Sequence, residues 1–173
     1  SETKGGKPTL EPSGEAIGFS ISHTDGLVGV LLSSNRSCGV DIESLSRHVD
    51  VQKLAARSCS LVEREWLNHH DLNDQSVAFL KLWTLKEAYL KATGLGISVP
   101  LNQLSFRFND GIRLRDLKDH SKCFDHWRFS QWEQDDQHLV AVAQKRGDSE
   151  PQPIVLRATD GGFKEALKDE RTA

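Results

Sequence analysis

The sequence of 173 residues contains no methionine and only three cysteines. Cys38, Cys59 and Cys123 are widely spaced and odd in number, and no C-x-x-C pair occurs, so the sequence predicts neither a disulfide framework nor a zinc site. We interpret the three thiols as reduced and the protein as intracellular. Because the chain opens on Ser1 and lacks methionine throughout, we also expect that an upstream segment is missing.

The sequence has neither a long apolar run nor an excess of positive charge. Its longest apolar stretch, Leu27 to Leu32, has the length of a strand, whereas a membrane helix needs roughly 20 residues. No signal-peptide pattern opens the chain. The net charge of −3 argues against a nucleic-acid binder that works through bulk positive charge. We therefore expect a cytoplasmic protein that has neither a membrane nor a nucleic acid as its partner.

What remains is an ordinary globular composition, with 37% hydrophobic and 27% charged residues. Short alternating or apolar segments, bounded by turn residues, predict strands on either side of a helical stretch. These strand segments are Phe19 to Ser22, Leu27 to Leu32, Cys38 to Glu43, Leu104 to Phe108, Ile112 to Leu117, Phe124 to Trp132 and His138 to Ala143. The order of strands, helices and strands favours an α+β fold in which an antiparallel sheet packs with helices.

The helical stretch carries signals for three helices. A helical pattern of apolar residues begins at Val51. Ser60 followed by Glu63 is typical of a capping box, which marks the start of a second helix. Asp74 is expected to cap the longest helix, and Gly94 to end it in the left-handed conformation that glycine adopts readily.

One strand motif, Gly39-Val40-Asp41-Ile42-Glu43, combines apolar and acidic residues in strict alternation. Successive side chains of a strand face opposite ways, so the two apolar residues are expected to be buried on one side. Asp41 and Glu43 then project together from the other side. Taken alone, such a pair is more often the solvated face of a half-buried strand than a functional site.

One helix motif, Trp83-Thr84-Leu85-Lys86-Glu87-Ala88-Tyr89-Leu90-Lys91, places an acid and a base one turn apart. Residues four apart share a helix face, so Glu87 and Lys91 are expected side by side. Taken alone, this pair is more often an exposed salt bridge than a catalytic couple. We interpret Trp83 as a packing anchor of the helix.

If this strand and this helix pack together, the carboxylates of Asp41, Glu43 and Glu87 converge near Lys91. Hard oxygen ligands of this kind suit Mg²⁺, which usually takes only one or two protein carboxylates and completes its octahedron with waters and substrate phosphates. Mn²⁺ accepts similar ligands, and the residues do not distinguish the two metals.

In this order and spacing the two motifs closely resemble those of the 4′-phosphopantetheinyl transferases. The segment Phe-Ser-Ile-Ser-His-Thr from Phe19 and the upstream Gly6-Lys7-Pro8 further resemble the Sfp-type branch of that family. The resemblance covers about Gly6 to Ala143. The holo-acyl-carrier-protein-synthase branch ranks second, because it lacks the Ser-His hairpin.

The resemblance implies two pseudo-symmetric halves with the active site at their junction. Residues 1–37 would be the end of the first half, residues 38–149 the second half with the metal and catalytic motifs, and residues 150–173 a C-terminal tail. The first half is then incomplete. We expect a monomer if the chain is complete, and a homodimer as an alternative if the first half is missing.

The resemblance also implies a reaction. The phosphopantetheine arm of coenzyme A moves to a serine of an acyl or peptidyl carrier protein, and 3′,5′-adenosine bisphosphate leaves. Mg²⁺ would be held by Asp41, Glu43 and Glu87. Glu87 would in addition accept the serine proton, and Lys91 would hold a phosphate oxygen.

Coenzyme A is the implied co-substrate, and the family motifs indicate which residues contact its phosphates. By resemblance these are Lys7, Ser22, His23 and Lys91, with Lys7 assigned to the 3′-phosphate. Lys86 is a further candidate on the motif helix, with a solvated side chain as its alternative.

The sequence is also compatible with two other functions. The missing first half favours a truncated, non-catalytic module that binds coenzyme A or a carrier protein. The same carboxylates, Asp41, Glu43 and Glu87, would also suit a metal-dependent nuclease or phosphohydrolase. The acidic net charge of −3 counts against this last reading.

Overall fold

The computed structural model describes residues 17–33, 37–96, 99–119, 122 and 124–146, together with the backbone of residues 155–159 and 162–166. Gly6-Lys7-Pro8, which carries the predicted phosphate ligand Lys7, lies outside the described residues, as does Cys123. No helix among the described residues combines the length and the apolar character that crossing a bilayer requires.

Strands flank a central group of helices, in the order that the sequence predicts. The helices are α1 (Val51–Ser58), α2 (Leu61–Asn68) and α3 (Gln75–Thr93). The strands are β1 (Gly18–Thr24), β2 (Leu27–Ser33), β3 (Cys38–Ser44), β4 (Leu104–Arg107), β5 (Arg113–Asp116), β6 (Trp127–Gln134), β7 (His138–Lys145), β8 (Val155–Thr159) and β9 (Gly162–Ala166). The predicted α+β class with antiparallel sheets is confirmed.

The central sheet is three-stranded and antiparallel, in the order β3-β7-β6. Its register pairs Asp41 with Ala141 and Glu43 with Leu139. The hairpins β1-β2, β4-β5 and β8-β9 form separate two-stranded sheets. β7 is almost wholly buried, which matches its nearly continuous apolar sequence.

The β1 strand lies along the free edge of β3 and bonds to it through side chains. The hydroxyl oxygens of Ser20 and Ser22 accept the backbone N–H groups of Val40 and Ile42, each at 3.1 Å. Side chains thus satisfy backbone donors that have no strand partner on this edge. As a result, Ser22 is held directly beside Asp41.

The two faces of the central sheet are covered by different layers. On one face, Val40 and Ile42 cluster with Leu27 and Leu31 of β2. On the other face α3 packs against β3 and β7. The predicted alternation in β3 is therefore correct, but its acidic face looks toward a buried helix rather than toward water, and Asp41 is only 6% exposed.

Gly39 allows α3 to approach β3 closely. A Cβ built on Gly39 would collide with the backbone oxygen of Ala88 and would lie 2.5 Å from the backbone nitrogen of Ala92. Both contacts are to helix backbone, which cannot rotate away as a side chain can. The absence of a side chain at this position therefore sets the distance between β3 and α3.

We expect Gly39→Ala to lower the free energy of unfolding by about 1–3 kcal/mol, the usual cost of overpacking. Urea unfolding followed by circular dichroism measures this loss. Gly29→Ala is the matched control, because its Cβ would collide only with the terminal Cδ1 of Ile42, the far end of a side chain, and would lie at ordinary contact distances of 3.5 Å from Ile42 Cγ1 and 3.9 Å from the backbone oxygen of Ser22. Equal losses in the two variants would contradict the assigned role of Gly39.

The helix ends agree with the sequence at two points and differ at a third. Ser60 and Glu63 form both hydrogen bonds of the predicted capping box. Gly94 ends α3 with φ +68°, in the left-handed region. Asp74 is the N-cap residue of α3, as predicted, but its side chain makes no capping hydrogen bond and its backbone is already in the right-handed helical region.

The C-terminal part of the chain contains an element that the sequence analysis did not anticipate. The backbone of β8 and β9 forms an antiparallel hairpin, and β8 lies alongside β2. The division of the chain at residues 37 and 149 stays a prediction.

Candidate active site

A cleft of about 470 Å³ opens where β1, β3 and α3 meet. Both motifs and the Ser-His hairpin contribute to it. Its lining consists of Ile21, Ser22, His23, Asp41, Ile42, Glu43, Arg47, Trp83, Glu87 and Lys91. The structure thus brings together residues that are far apart in the sequence and that carry most of the predicted chemistry.

Asp41 is the most buried carboxylate of the cleft. Its Oδ1 accepts hydrogen bonds from the Lys91 ammonium at 2.7 Å and from the Ser22 hydroxyl at 3.1 Å. Its Oδ2 is buried and has no hydrogen-bond partner among the described residues. Burial raises the pKa of Asp41 above 3.8, although Lys91 opposes the shift. A buried carboxylate oxygen without a partner is costly unless a ligand satisfies it.

Glu43 lies two residues further along the same face of β3 and is paired differently. Its Oε1 accepts a hydrogen bond from the guanidinium of Arg47, which follows four residues later. Its side chain is 13% exposed, so it is more accessible than that of Asp41. The two strand carboxylates therefore each have a cationic partner within this chain.

Glu87 faces these carboxylates from α3. Burial raises its pKa above 4.5, and the charges of Asp41 and Glu43 raise it further, while Lys91 lowers it. The negative charge of Glu87 is therefore disfavoured in the folded protein unless a cation compensates for it.

These features fit a divalent cation at this cleft. The fit rests on the partnerless Oδ2 of Asp41 and on the mutual repulsion of Asp41, Glu43 and Glu87. Among the described residues, however, no three acidic, histidine or cysteine side chains are arranged as a ready metal site. Mg²⁺ commonly takes only one or two protein carboxylates, so the expected three-carboxylate set stays a prediction.

Lys91 links the helix to the strand. Its ammonium donates to Asp41 and, at 2.9 Å, to the hydroxyl oxygen of Ser22. Two of its three N–H groups are thereby used, and the third can serve an anion in the cleft. The Ser22 hydroxyl bonds to Asp41, Lys91 and the backbone of Ile42, so it holds these groups in position.

His23 lies at the end of β1, where it lines the cleft with an exposed side chain. Trp83 also lines the cleft, while its ring stacks on Phe79 at a centroid distance of 6.0 Å. Trp83 therefore packs as predicted and at the same time forms part of the wall.

Lys86 is placed away from the cleft, although it precedes Glu87 directly. Its side chain is 1% exposed and its ammonium donates to Glu63 Oε2 at 2.7 Å. The same ammonium bonds to the backbone oxygens of Ser58, Leu101 and Leu104. With its N–H groups occupied in the core, Lys86 is not solvated, and it does not line the cleft with Glu87, because successive helix residues point about 100° apart.

Glu63 completes this buried pair. Its Oε2 also accepts the backbone N–H of Ser60 at 2.7 Å, and its Oε1 accepts that of Phe106 at 2.8 Å. The pair thus ties α2, α3 and β4 together behind the cleft. The capping box predicted the contact of Glu63 with Ser60, but nothing in the sequence indicated its contact with Lys86.

Arg47 is a cleft residue that the sequence analysis missed. A spacing of four indicates a shared face in a helix, but Glu43 lies in a strand, so the spacing carried no signal. The turn after β3 brings Arg47 back to Glu43.

The comparisons with known proteins agree with one another. A sequence model described as the 4′-phosphopantetheinyl transferase superfamily matches residues 37–143. The 4′-phosphopantetheinyl transferase gsp of Aneurinibacillus migulanus is 40% identical over 97 residues, which are 56% of this chain and 38% of the relative. The 4′-phosphopantetheinyl transferase Sfp of Bacillus subtilis (strain 168) is 33% identical over 121 residues, which are 69% of this chain and 52% of that relative.

The chain thus spans about half, or less, of the length of these relatives. Among solved structures, the holo-[acyl-carrier-protein] synthase (AcpS) of Thermotoga maritima matches 76% of this chain and 82% of its own with a TM-score of 0.50. At 20% sequence identity this match shows a common fold.

Proposed function

We propose a function for this chain from its family: it belongs to the 4′-phosphopantetheinyl transferase superfamily and resembles the Sfp-type members. The proposed activity is the transfer of the 4′-phosphopantetheine arm of coenzyme A to a serine of an acyl or peptidyl carrier protein. The observation that carries the proposal is the cleft in which Glu87 and Lys91 of α3 face Asp41 and Glu43 of β3.

In the proposed reaction the serine oxygen forms a bond to the phosphorus that carries the pantetheine arm. The bond from this phosphorus to the bridging oxygen of the pyrophosphate breaks, and 3′,5′-adenosine bisphosphate leaves with the electron pair. Glu87 accepts the serine proton. Burial and the charges of Asp41 and Glu43 raise the pKa of Glu87 while no cation is bound, and a carboxylate within hydrogen-bond reach of the serine hydroxyl can take up its proton.

Asp41, Glu43 and Glu87 are the residues that would hold a divalent cation, for which we propose Mg²⁺. When bound, the cation would neutralise charge on the phosphate oxygens. Lys91 adds a positive charge at the same place, and its hydrogen bonds to Asp41 and Ser22 orient the ammonium before any ligand binds.

For the phosphates of coenzyme A we propose His23 and Lys91, which line the cleft. Ser22 would act by orienting Asp41 and Lys91. Lys7 keeps its proposed place at the 3′-phosphate by resemblance alone. The core contacts of Lys86 remove it from the proposed ligand set.

The direct test is a transfer assay. We expect incubation of the chain with coenzyme A, Mg²⁺ and an apo carrier protein to increase the mass of the carrier by one phosphopantetheine arm, and EDTA to prevent the increase. Intact-protein mass spectrometry measures the product. Several acyl and peptidyl carriers are to be tried, because no described feature of the cleft selects among them.

The binding-only alternative has one observation in its favour, the partial coverage of the relatives. Calorimetric binding of coenzyme A together with no mass increase on any carrier would establish that alternative and reject the transferase activity of this chain.

A further inference from the structure

The turn after β3 brings a guanidinium to the mouth of the cleft. The backbone N–H of Arg47 donates to the backbone oxygen of Ser44 at 3.0 Å, which fixes the turn. The guanidinium then reaches back to Glu43, and the side chain remains 46% exposed. Arg47 is therefore anchored by its backbone, while its charged end lies at the solvent boundary of the cleft.

The two ion pairs of β3 differ in how firmly they are held. The Lys91 ammonium donates hydrogen bonds to Ser22 and to the largely buried carboxylate of Asp41. The Arg47 guanidinium pairs with the carboxylate of Glu43 and is open to water. An exposed ion pair is weak and is easily exchanged for another charged partner. Arg47 is thus the more easily displaced of the two cationic side chains.

The position of Arg47 also conflicts with a bound metal. A cation on Glu43 and the guanidinium of Arg47 would carry like charges at the same carboxylate, and like charges at such short distance repel. The planar guanidinium, with its fork of N–H donors, matches the oxygens of a phosphate group well.

We propose that Arg47 is a displaceable counter-ion of the cleft. Arg47 neutralises Glu43 while the cleft is without ligands, and it transfers its hydrogen bonds to a phosphate of coenzyme A once a divalent cation competes for Glu43. The guanidinium of Arg47 thereby keeps an anionic partner in both states. This inference rests on the proposed function, since it takes coenzyme A and the cation as the ligands.

Two titrations with opposite expected signs test the exchange. Isothermal titration of Mg²⁺ into the full chain without coenzyme A is expected to show binding about 2- to 5-fold tighter for Arg47→Ala than for the unmodified chain, because the variant lacks the competing cation. Titration of coenzyme A in excess Mg²⁺ is expected to show binding weaker by roughly ten-fold, because a charge-assisted hydrogen bond to phosphate is lost.

Arg113→Ala is the matched control. Arg113 also forms an exposed ion pair, with its Nη1 3.9 Å from Asp125 Oδ1, and it does not line the cleft. Both affinities are expected to be unchanged in this variant. Arg47→Lys keeps the positive charge but loses the planar set of N–H donors. Its affinity for Mg²⁺ should therefore match that of the unmodified chain, whereas its affinity for coenzyme A should lie between those of the unmodified chain and Arg47→Ala.

The outcomes separate this inference from the proposed function. Unchanged or weaker Mg²⁺ binding by Arg47→Ala, or unchanged coenzyme A binding, overturns the exchange. The absence of Mg²⁺ binding by the unmodified chain overturns it too, together with the metal site. Binding of both ligands with the expected opposite effects, but with no transfer to any carrier, supports the exchange and rejects the transferase activity.

Discussion

Glu87→Gln is expected to lower the rate of phosphopantetheine transfer by about 10²- to 10⁴-fold, the usual contribution of a general base. The substitution keeps the size of the side chain and removes its ability to accept the serine proton. It also removes one of the proposed oxygen ligands of the cation. Single-turnover transfer to a carrier protein, followed by mass spectrometry, measures the loss.

The thermal stability of Glu87→Gln, unlike its transfer rate, is not expected to fall. Burial and the neighbouring carboxylates raise the pKa of Glu87, so the folded state binds a proton more tightly than the unfolded state does. This linkage lowers stability as pH rises through the titration of Glu87, and the deficit persists at neutral pH. Without metal at pH 7, Glu87→Gln should therefore unfold at a temperature equal to or above that of the unmodified chain.

Glu133→Gln provides the control for both measurements. Glu133 is 48% exposed and lies 4.0 Å from Lys81, away from the cleft lining. Its substitution should alter neither the transfer rate nor the midpoint of unfolding appreciably. Near-normal transfer by Glu87→Gln would exclude the proton-accepting role of Glu87, and a lowered unfolding temperature would show that its charge stabilises the fold instead.

Lys86→Met is expected to be the most destabilising of these substitutions, with a loss of about 3–5 kcal/mol in the free energy of unfolding. Methionine fills a similar volume, but it leaves the carboxylate of Glu63 buried without its cation. Three backbone oxygens also lose their ammonium donor. Urea unfolding measures the loss.

Lys81→Met is the matched control on the same helix. Lys81 is 40% exposed and its ammonium lies 4.0 Å from Glu133, so its substitution should change the free energy of unfolding by no more than about 0.5 kcal/mol.

The double variant Lys86→Met with Glu63→Gln should recover part of the stability that Lys86→Met loses, because no unpaired buried charge remains. A loss below about 1 kcal/mol for Lys86→Met alone would show that the pair is not the central tie between α2, α3 and β4.

Local patterns in the sequence predicted most of the secondary structure. The alternation around Asp41 and the capping box at Ser60 depend on interactions within a few residues, and both are present in the structure. Asp74 occupies the predicted N-cap position of α3 but makes no capping hydrogen bond through its side chain. Its residue type is typical of an N-cap, but the backbone conformation it adopts does not direct its side chain to the helix N–H groups.

The sequence by itself determined that Asp41 and Glu43 share one face of a strand and that Glu87 and Lys91 share one face of a helix, because these relations follow from the periods of regular structure. Only the tertiary structure decided which charged groups become partners. Lys86 meets Glu63 in the core, Lys91 meets Asp41 in the cleft, and Arg47 returns to Glu43 through a turn. Lys86 and Lys91, five residues apart on α3, thus acquire different roles. The local sequence determines the side of the helix toward which each lysine points, but the element that packs against that side depends on residues far away in the sequence.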